Sequence, residues 1–444
     1  MKRIISLVLC GTLLASLAAC SGGSSGGQTS TQQSEAAGKE NETAAPAQTG
    51  SDKGTVKIGV LLPFTGASAY SAELAREGYD YAVEYYNGQG GIKSLGGAKL
   101  EIVYADTTGV TEVGVTEFER LVNVEKIDIA SGPYNSAVMG AVAPLAEKYQ
   151  MPFVVNQASS LNIYTAGYTY VFNPSNDART NVQGLIGICD MVEELYGDKI
   201  DGIGLIMENT EWGLSQKETF EKYFTDAGKE VMINETIEPG ATDFSSQISK
   251  LKASGVKFVV PCISSYNDAV LFVRQMKEYN CNAGILASGG VFVVPEFAQA
   301  LGDDANYIFS TDTWNKGFLE SKGEKAVKIH DGYVEKYGHD MGENAGMAWI
   351  AMSTIVAALE EAGTKDKQTV RDTLYGLNLP ADSEYMLLVP FEGMKFDEID
   401  ESGCLNHNKY GLSCISQLID GKWKMVWPNE MLGEHNPLVW PIPE

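Results

Sequence analysis

The chain has 444 residues, which suits two domains better than one. Hydrophobic residues make up 44% and charged residues 20%, a globular composition that excludes disordered and fibrous classes. Lys and Arg number 33 against 58 Asp and Glu, a formal net charge of −25, and such a surface repels phosphate backbones and excludes nucleic-acid binding.

In chain order, Lys2 and Arg3 precede an apolar stretch from Ile4 to Ala19 that closes on small residues. Residues 1–20 therefore read as a secretory signal peptide, too short for a comfortable membrane span. Leu17-Ala18-Ala19-Cys20 resembles the bacterial lipobox, in which Cys20 becomes the lipid-bearing mature N-terminus. The alternative is ordinary cleavage with an unmodified Cys20. Residues 21–53 contain no Val, Ile, Leu, Met or aromatic residue and cannot offset the entropy of ordering. They read as a flexible linker with a reach of about 30 Å. No later apolar stretch is expected to span a membrane, so the membrane is expected to be met through the lipid anchor only, on the extracytoplasmic side.

From Thr55 onward, short apolar runs alternate with amphipathic stretches. Val56–Leu62 reads as a buried strand ended by Pro63, and Ala75, Tyr79, Ala82, Val83 and Tyr86 recur at helical spacing. Leu100–Tyr104, Ile127–Ala130 and Phe153–Val155 continue the strands, with helices between them. A second series begins near Asp177, with strands at Ile203–Met207, Val231–Ile237, Phe258–Val260 and Ile285–Ala287. Strand and helix in alternation predict parallel sheets covered on both faces, in two similar lobes. A long helix over Ala345–Glu361 and strands at Ser413–Asp420 and Trp423–Trp427 return to complete those lobes.

Motifs for chemistry are missing. The four His, at 330, 339, 407 and 435, form no metal pair and read as surface or loop residues. No phosphate-binding loop, dinucleotide fingerprint or nucleophile elbow occurs, so neither an enzyme nor a cofactor is expected. Cys404 and Cys414 lie near a hairpin and could bridge, or remain buried thiols. What the chain does offer is ligand-ready strand ends, where open α/β sheets bind their ligands. They are Thr65–Tyr70, Gly132–Ala137, Gln157–Ser160 and Asn209–Gly213. Ser136, just before a helix, could meet an anion such as a carboxylate, or merely cap that helix.

These residues carry a resemblance. "VKIGVLLPFTGAS" (56–68), "NGQGGI" (87–92), "SGPYNSA" (131–137), "GATDFSSQISKLKASGVKFVV" (240–260) and "LIDGKWKMVWP" (418–428) are similar, in order, to segments of the Leu/Ile/Val-binding-protein family, type 1 periplasmic receptors of ABC importers. The resemblance implies an α/β protein of two Rossmann-like lobes joined by a hinge, with ligand in the cleft and a membrane permease as partner. It implies that Ser136, with Ala158 and Ser159, holds a ligand carboxylate. Trp212 closes over the ligand from the second lobe, Tyr70 takes the first-loop aromatic position, and Ser265 and Tyr266 lie near a further contact. Apart from the resemblance, Tyr134 and Trp314 are aromatic residues that could contact an apolar or aromatic ligand, or pack in the core. Lobe 1 is expected over 55–175 and 311–385, and lobe 2 over 176–310 and 386–444. Amino-acid binders of that family often carry an acid after the strand matching Ile285–Ala287, whereas Ser288-Gly289-Gly290-Val291 has none. Either another acid substitutes, such as Asp312 or Glu211, or the ligand lacks an ammonium. The expected function is a monomeric importer receptor for an amino acid or small carboxylate. The alternatives are an aromatic or other amine-free carboxylate as ligand, or a sensor of the same fold.

Overall fold

A short, β-branched apolar run buried on both faces suits a strand inside a covered parallel sheet, and β1 (Thr55–Leu62) is such a run, with Val56, Ile58, Val60, Leu61 and Leu62 fully buried. The structure, a computed structural model, describes residues 54–396, 399, 403–432 and 438–443. The signal peptide, Cys20 and the linker lie outside the described residues.

The first lobe is built on β1, β2 (Lys99–Asp106), β3 (Ile129–Gly132), β4 (Phe153–Val155) and β5 (Val171–Phe172), all parallel, in the order β2-β1-β3-β4-β5. Ile58 sits in register with Ile102 on one side and Ile129 on the other. Helices α1 (Ala69–Gly88), α2 (Thr111–Arg120), α3 (Ser136–Lys148) and α4 (Leu161–Thr165) connect them.

After α5 (Ala178–Tyr196) the pattern repeats. It runs β6 (Gly202–Glu208), α6 (Glu211–Asp226), β7 (Glu230–Ile237), α7 (Ser245–Ser254), β8 (Phe258–Cys262), α8 (Tyr266–Glu278), β9 (Gly284–Ala287), α9 (Pro295–Leu301) and β10 (Phe309–Asp312). Then come α10 (Glu324–Tyr337), α11 (Glu343–Ala362), α12 (Lys367–Gly376), the ribbon of β11 (Asn378–Pro380) and β12 (Gly393–Lys395), and the hairpin of β13 (Cys414–Ile419) and β14 (Lys422–Trp427). The second sheet has the order β14-β13-β10-β9-β8-β6-β7, and only its β13 and β14 edge is antiparallel. The fold is α/β, with two Rossmann-like parallel sheets.

The late segments divide between the lobes. Helices α10–α12 join α1 in the first core, and every residue of α11 from Glu343 to Leu359 is buried. By length and apolarity α11 could cross a membrane, contrary to the expectation that no later stretch would, but 83% of its apolar window lies inside the protein. It is a core helix. Residues 386–396, assigned to the second lobe on sequence, also depart from expectation. Met386, Leu388, Val389, Phe391, Met394 and Phe396 bury themselves in the first core, and β12 pairs with β11. The chain returns to the second sheet only at β13.

The connections between sheets are knitted together. Asn173 N–H donates to the Asn406 carbonyl at 2.9 Å, and Asn408 N–H to the Asn173 carbonyl at 2.8 Å. Asp177, fully buried, caps α5 through Arg179 N–H (2.8 Å) and Thr180 N–H (3.2 Å), and meets Arg179 Nε at 2.8 Å and His407 Nε2 at 3.2 Å. Burial pushes the Asp177 carboxyl up, but His407 and Arg179 together hold it below the usual carboxylate range. His407 and His330 are therefore not surface residues: the first closes this crossing, and the second is buried against Trp314. Cys404 and Cys414 are buried thiols rather than a disulfide.

Candidate functional site

Strand ends converge where the two sheets face each other, and a cavity of about 180 Å³ lies there. Its lining comes from the ends of β3, β4, β6 and β9, the crossings, and the start of α11.

On the first lobe, β3 stops at Gly132 and α3 starts at Ser136. Asn135 occupies the N-cap position but makes no side-chain cap bond, so the first-turn N–H groups of α3 stay available. Ser136 is 2% exposed, lines the cavity and is itself the first helical residue, not a cap. Its hydroxyl oxygen accepts the Ser160 N–H at 3.2 Å, which leaves its proton to donate. Ser159 stands beside it, with its hydroxyl 3.5 Å from Gln216 Nε2 and its carbonyl accepting the Ala178 N–H at 3.2 Å. Hydroxyls and open helix N–H groups together suit a carboxylate. Tyr134 adds a half-buried ring, and burial pushes its hydroxyl up to about 12, so it is a neutral donor. Ala158 is buried behind Ser159, its carbonyl taken by the Tyr164 hydroxyl, and does not line the cavity.

The second lobe supplies the opposite wall. Thr210 caps α6 through the Gly213 N–H at 3.1 Å, and this start of α6 carries Glu211 and Trp212 into the cavity. The Trp212 ring passes over Gly289, whose φ of +130° only glycine tolerates well; a Cβ there would stand 3.3 Å from the indole. Glu211 Oε1 accepts the Ser160 hydroxyl and the Asn162 Nδ2, each at 3.0 Å, and Ser215 Oγ accepts the Leu161 N–H at 2.9 Å. These bonds join the lobes along one rim. Tyr70 serves another rim: it is 41% exposed, and burial, with the Glu296 carboxylate of α9 as neighbour, pushes its hydroxyl up. Tyr266 donates to the Glu296 carbonyl at 3.1 Å. Tyr70, Tyr266 and Ser265 are not among the cavity-lining residues, and Ser265 caps α8 through the Asp268 N–H at 3.4 Å.

Sequence reasoning missed Ser264, Asn176, Asn181, Thr311, Glu343 and Met347, all on the lining. Ser264, one place before the residue expected, donates its hydroxyl to Glu208 Oε2 at 2.6 Å and its N–H to Oε1 at 2.8 Å. Burial pushes the Glu208 carboxyl up. Trp314 is core, not lining: it is fully buried and its Nε1 donates to the Leu388 carbonyl at 2.8 Å.

Two facing lobes with a cavity at the carboxyl ends of their strands place the chain among known proteins. Residues 55–397 match the model of a family described as periplasmic binding protein. The chain belongs to that family. Among curated relatives, a Leu/Ile/Val-binding protein homolog 7 of Brucella melitensis is 25% identical over 384 residues, covering 84% of this chain and 92% of its own. A homolog 8 of the same organism is 26% identical over 384 residues, covering 84% and 90%. The resemblance to Leu/Ile/Val-binding proteins thus extends along the described chain. Among family structures, the branched-chain amino acid substrate-binding protein LivJ of Streptococcus pneumoniae, in complex with isoleucine, shares the fold with a TM-score of 0.69 at 21% identity, over 84% of this chain and all of its own. A Rhodopseudomonas palustris solute-binding protein in complex with benzoate gives 0.66 at 18%, over 84% and 96%.

Proposed function

We propose that this protein is a lipid-anchored, extracytoplasmic receptor that holds an amino acid or other small carboxylate between its lobes and delivers it unchanged to the permease of an ABC importer. The observation that carries this is the pairing of Ser136 and the uncapped start of α3 with the Trp212 indole across one cavity. A cavity of about 180 Å³ has room for a small-molecule ligand. Ser136, Ser159 and Tyr134 hold the carboxylate. Trp212 covers the rest of the ligand from the second lobe, and Tyr70 and Tyr266 act at the rim. Binding would favour the closed arrangement because the second lobe touches the ligand only there. Membership of a binding-protein family and a relative bound to isoleucine support this reading. The lobes are taken as 55–175 with about 313–396, and 176–312 with about 413–444.

A second reading, an aromatic carboxylate without an amine, draws on Trp212 and Tyr134 and on the uncharged Gly289-Gly290 loop. Native mass spectrometry of protein from its own host should show one retained small acid. A ligand-free spectrum, together with no thermal stabilisation by any amino acid, aromatic acid or short carboxylate, would overturn the proposal.

A further inference from the structure

The cavity has a carboxylate pole at α3, and it also has a pole of the opposite character. Glu343, the first residue of α11, lines the cavity and is only 7% exposed. Its Oε1 accepts the Thr313 N–H at 2.9 Å, and among the described residues no basic side chain pairs with it. Beside it lies Asp312, 3% exposed. The Oδ2 of Asp312 accepts Asn315 Nδ2 at 2.9 Å and Ser416 Oγ at 2.8 Å, while its Oδ1 is buried without a partner. Two buried acids with only neutral partners are costly to ionise, and such a pair asks for a cation. Burial, and for Glu343 the neighbouring Asp312, pushes the two carboxyls up to about 7 and about 6.

Space points the same way. Glu343 Oε2 faces Gly290, and a Cβ on Gly290 would stand 2.8 Å from it. The loop after β9 thus carries no acid and, at this point, no side chain, which leaves the room that Glu343 reaches into. Ser264 contributes as well: its proton is committed to Glu208, so toward the cavity its oxygen can only accept.

We propose that Glu343 is the counter-ion for a ligand ammonium, so that the receptor selects amino acids over carboxylates of the same skeleton that lack the amine. This rests on the carboxylate-receptor reading above and narrows it. The charge that the Gly289-Gly290 loop lacks is supplied by α11.

Titration calorimetry on ligand-stripped protein tests this, with the twenty standard amino acids, β-alanine and 4-aminobutanoate as one series. The amine-free acid and the 2-oxo acid of each skeleton form the other. At least one amino acid should bind, and its amine-free partners about a hundredfold more weakly. Glu343→Gln should weaken the amino acid by about a hundredfold and erase that discrimination. Its amide oxygen can still accept the Thr313 N–H, so ligand-free Glu343→Gln should melt no lower than the parent. Gly290→Ala, which crowds Oε2, should weaken the amino acid more than its amine-free partner. An amine-free acid binding the parent as tightly as its amino acid, or undiminished discrimination in Glu343→Gln, overturns the assignment of Glu343 and leaves the carboxylate receptor standing. Binding by neither series overturns the assignment of Glu343, and if aromatic acids also fail to bind, the carboxylate receptor falls with it.

Discussion

Ser136 has its hydroxyl oxygen occupied by the Ser160 N–H, so the ligand meets its proton. Ser136→Ala should therefore weaken a bound acid by about 1.5–3 kcal/mol, the worth of a hydrogen bond to a charged group, measurable by calorimetry. Trp212→Ala should weaken it through lost cover, without altering the first lobe. Glu343 and Asp312 make a different prediction, in pH. Both carboxyls are raised above their ordinary values, so the folded ligand-free protein binds more protons than the unfolded chain between about pH 4 and 7. Their contribution is fully present below that window and lost as pH rises through it. The ligand-free protein should lose about 1–3 kcal/mol across the window, and Glu343→Gln should flatten the slope in thermal melts. Ser136 was legible because a Gly-Pro turn, a polar loop and a helix start follow one another in the chain. Glu343 was not, because an acid in the first turn of a helix is ordinary. Only the packing around α11 shows that this one is buried.

Helices α1 and α11 pack backbone to backbone at Gly78, where a Cβ would stand 2.2 Å from the Ala345 carbonyl oxygen. Nothing flexible can yield there, so Gly78→Ala should cost about 1–3 kcal/mol in denaturant unfolding. It should also disturb the cavity, because Ala345 is two residues from Glu343. The crossing at α5 has its own weak point. Asp177→Ala removes a cap and leaves Arg179 and His407 facing an empty buried site, which should cost about 3–5 kcal/mol. The Asp177 carboxyl is held low, so its stabilisation has the opposite pH sense: it is present above the usual carboxylate range and lost as pH falls through its depressed value. Most elements could be read from periodicity, since β1 buries its apolar run and α1 buries Ala75, Tyr79, Ala82 and Tyr86, with Val83 half-buried. The misplaced segment was 386–396, whose apolar residues fit either core by composition. The partner strand β11 decides between them, and pairing between short strands leaves no mark in one sequence.

Across the whole molecule, the rim bonds tie the lobes where they meet. Ser215 does not line the cavity, yet its oxygen accepts the Leu161 N–H from the other lobe. Ser215→Ala should weaken ligand binding several-fold by destabilising the closed arrangement by about 1 kcal/mol. Small-angle scattering should show the variant more open than the parent at equal ligand concentration; identical profiles and affinities would remove the rim from the account.

Helix α11 shares one hydrophobic core with β1 and α1, on the same side of the cleft as α3. A molecule touching both Ser136 and Glu343 would have its two charged ends gripped by a single rigid body before the other body swings in. Docking would then read the polar head first, and the arriving indole would inspect only the tail. Variants that retune preference among tails are to be sought around Trp212, and those that loosen retention altogether at the two helix starts opposite.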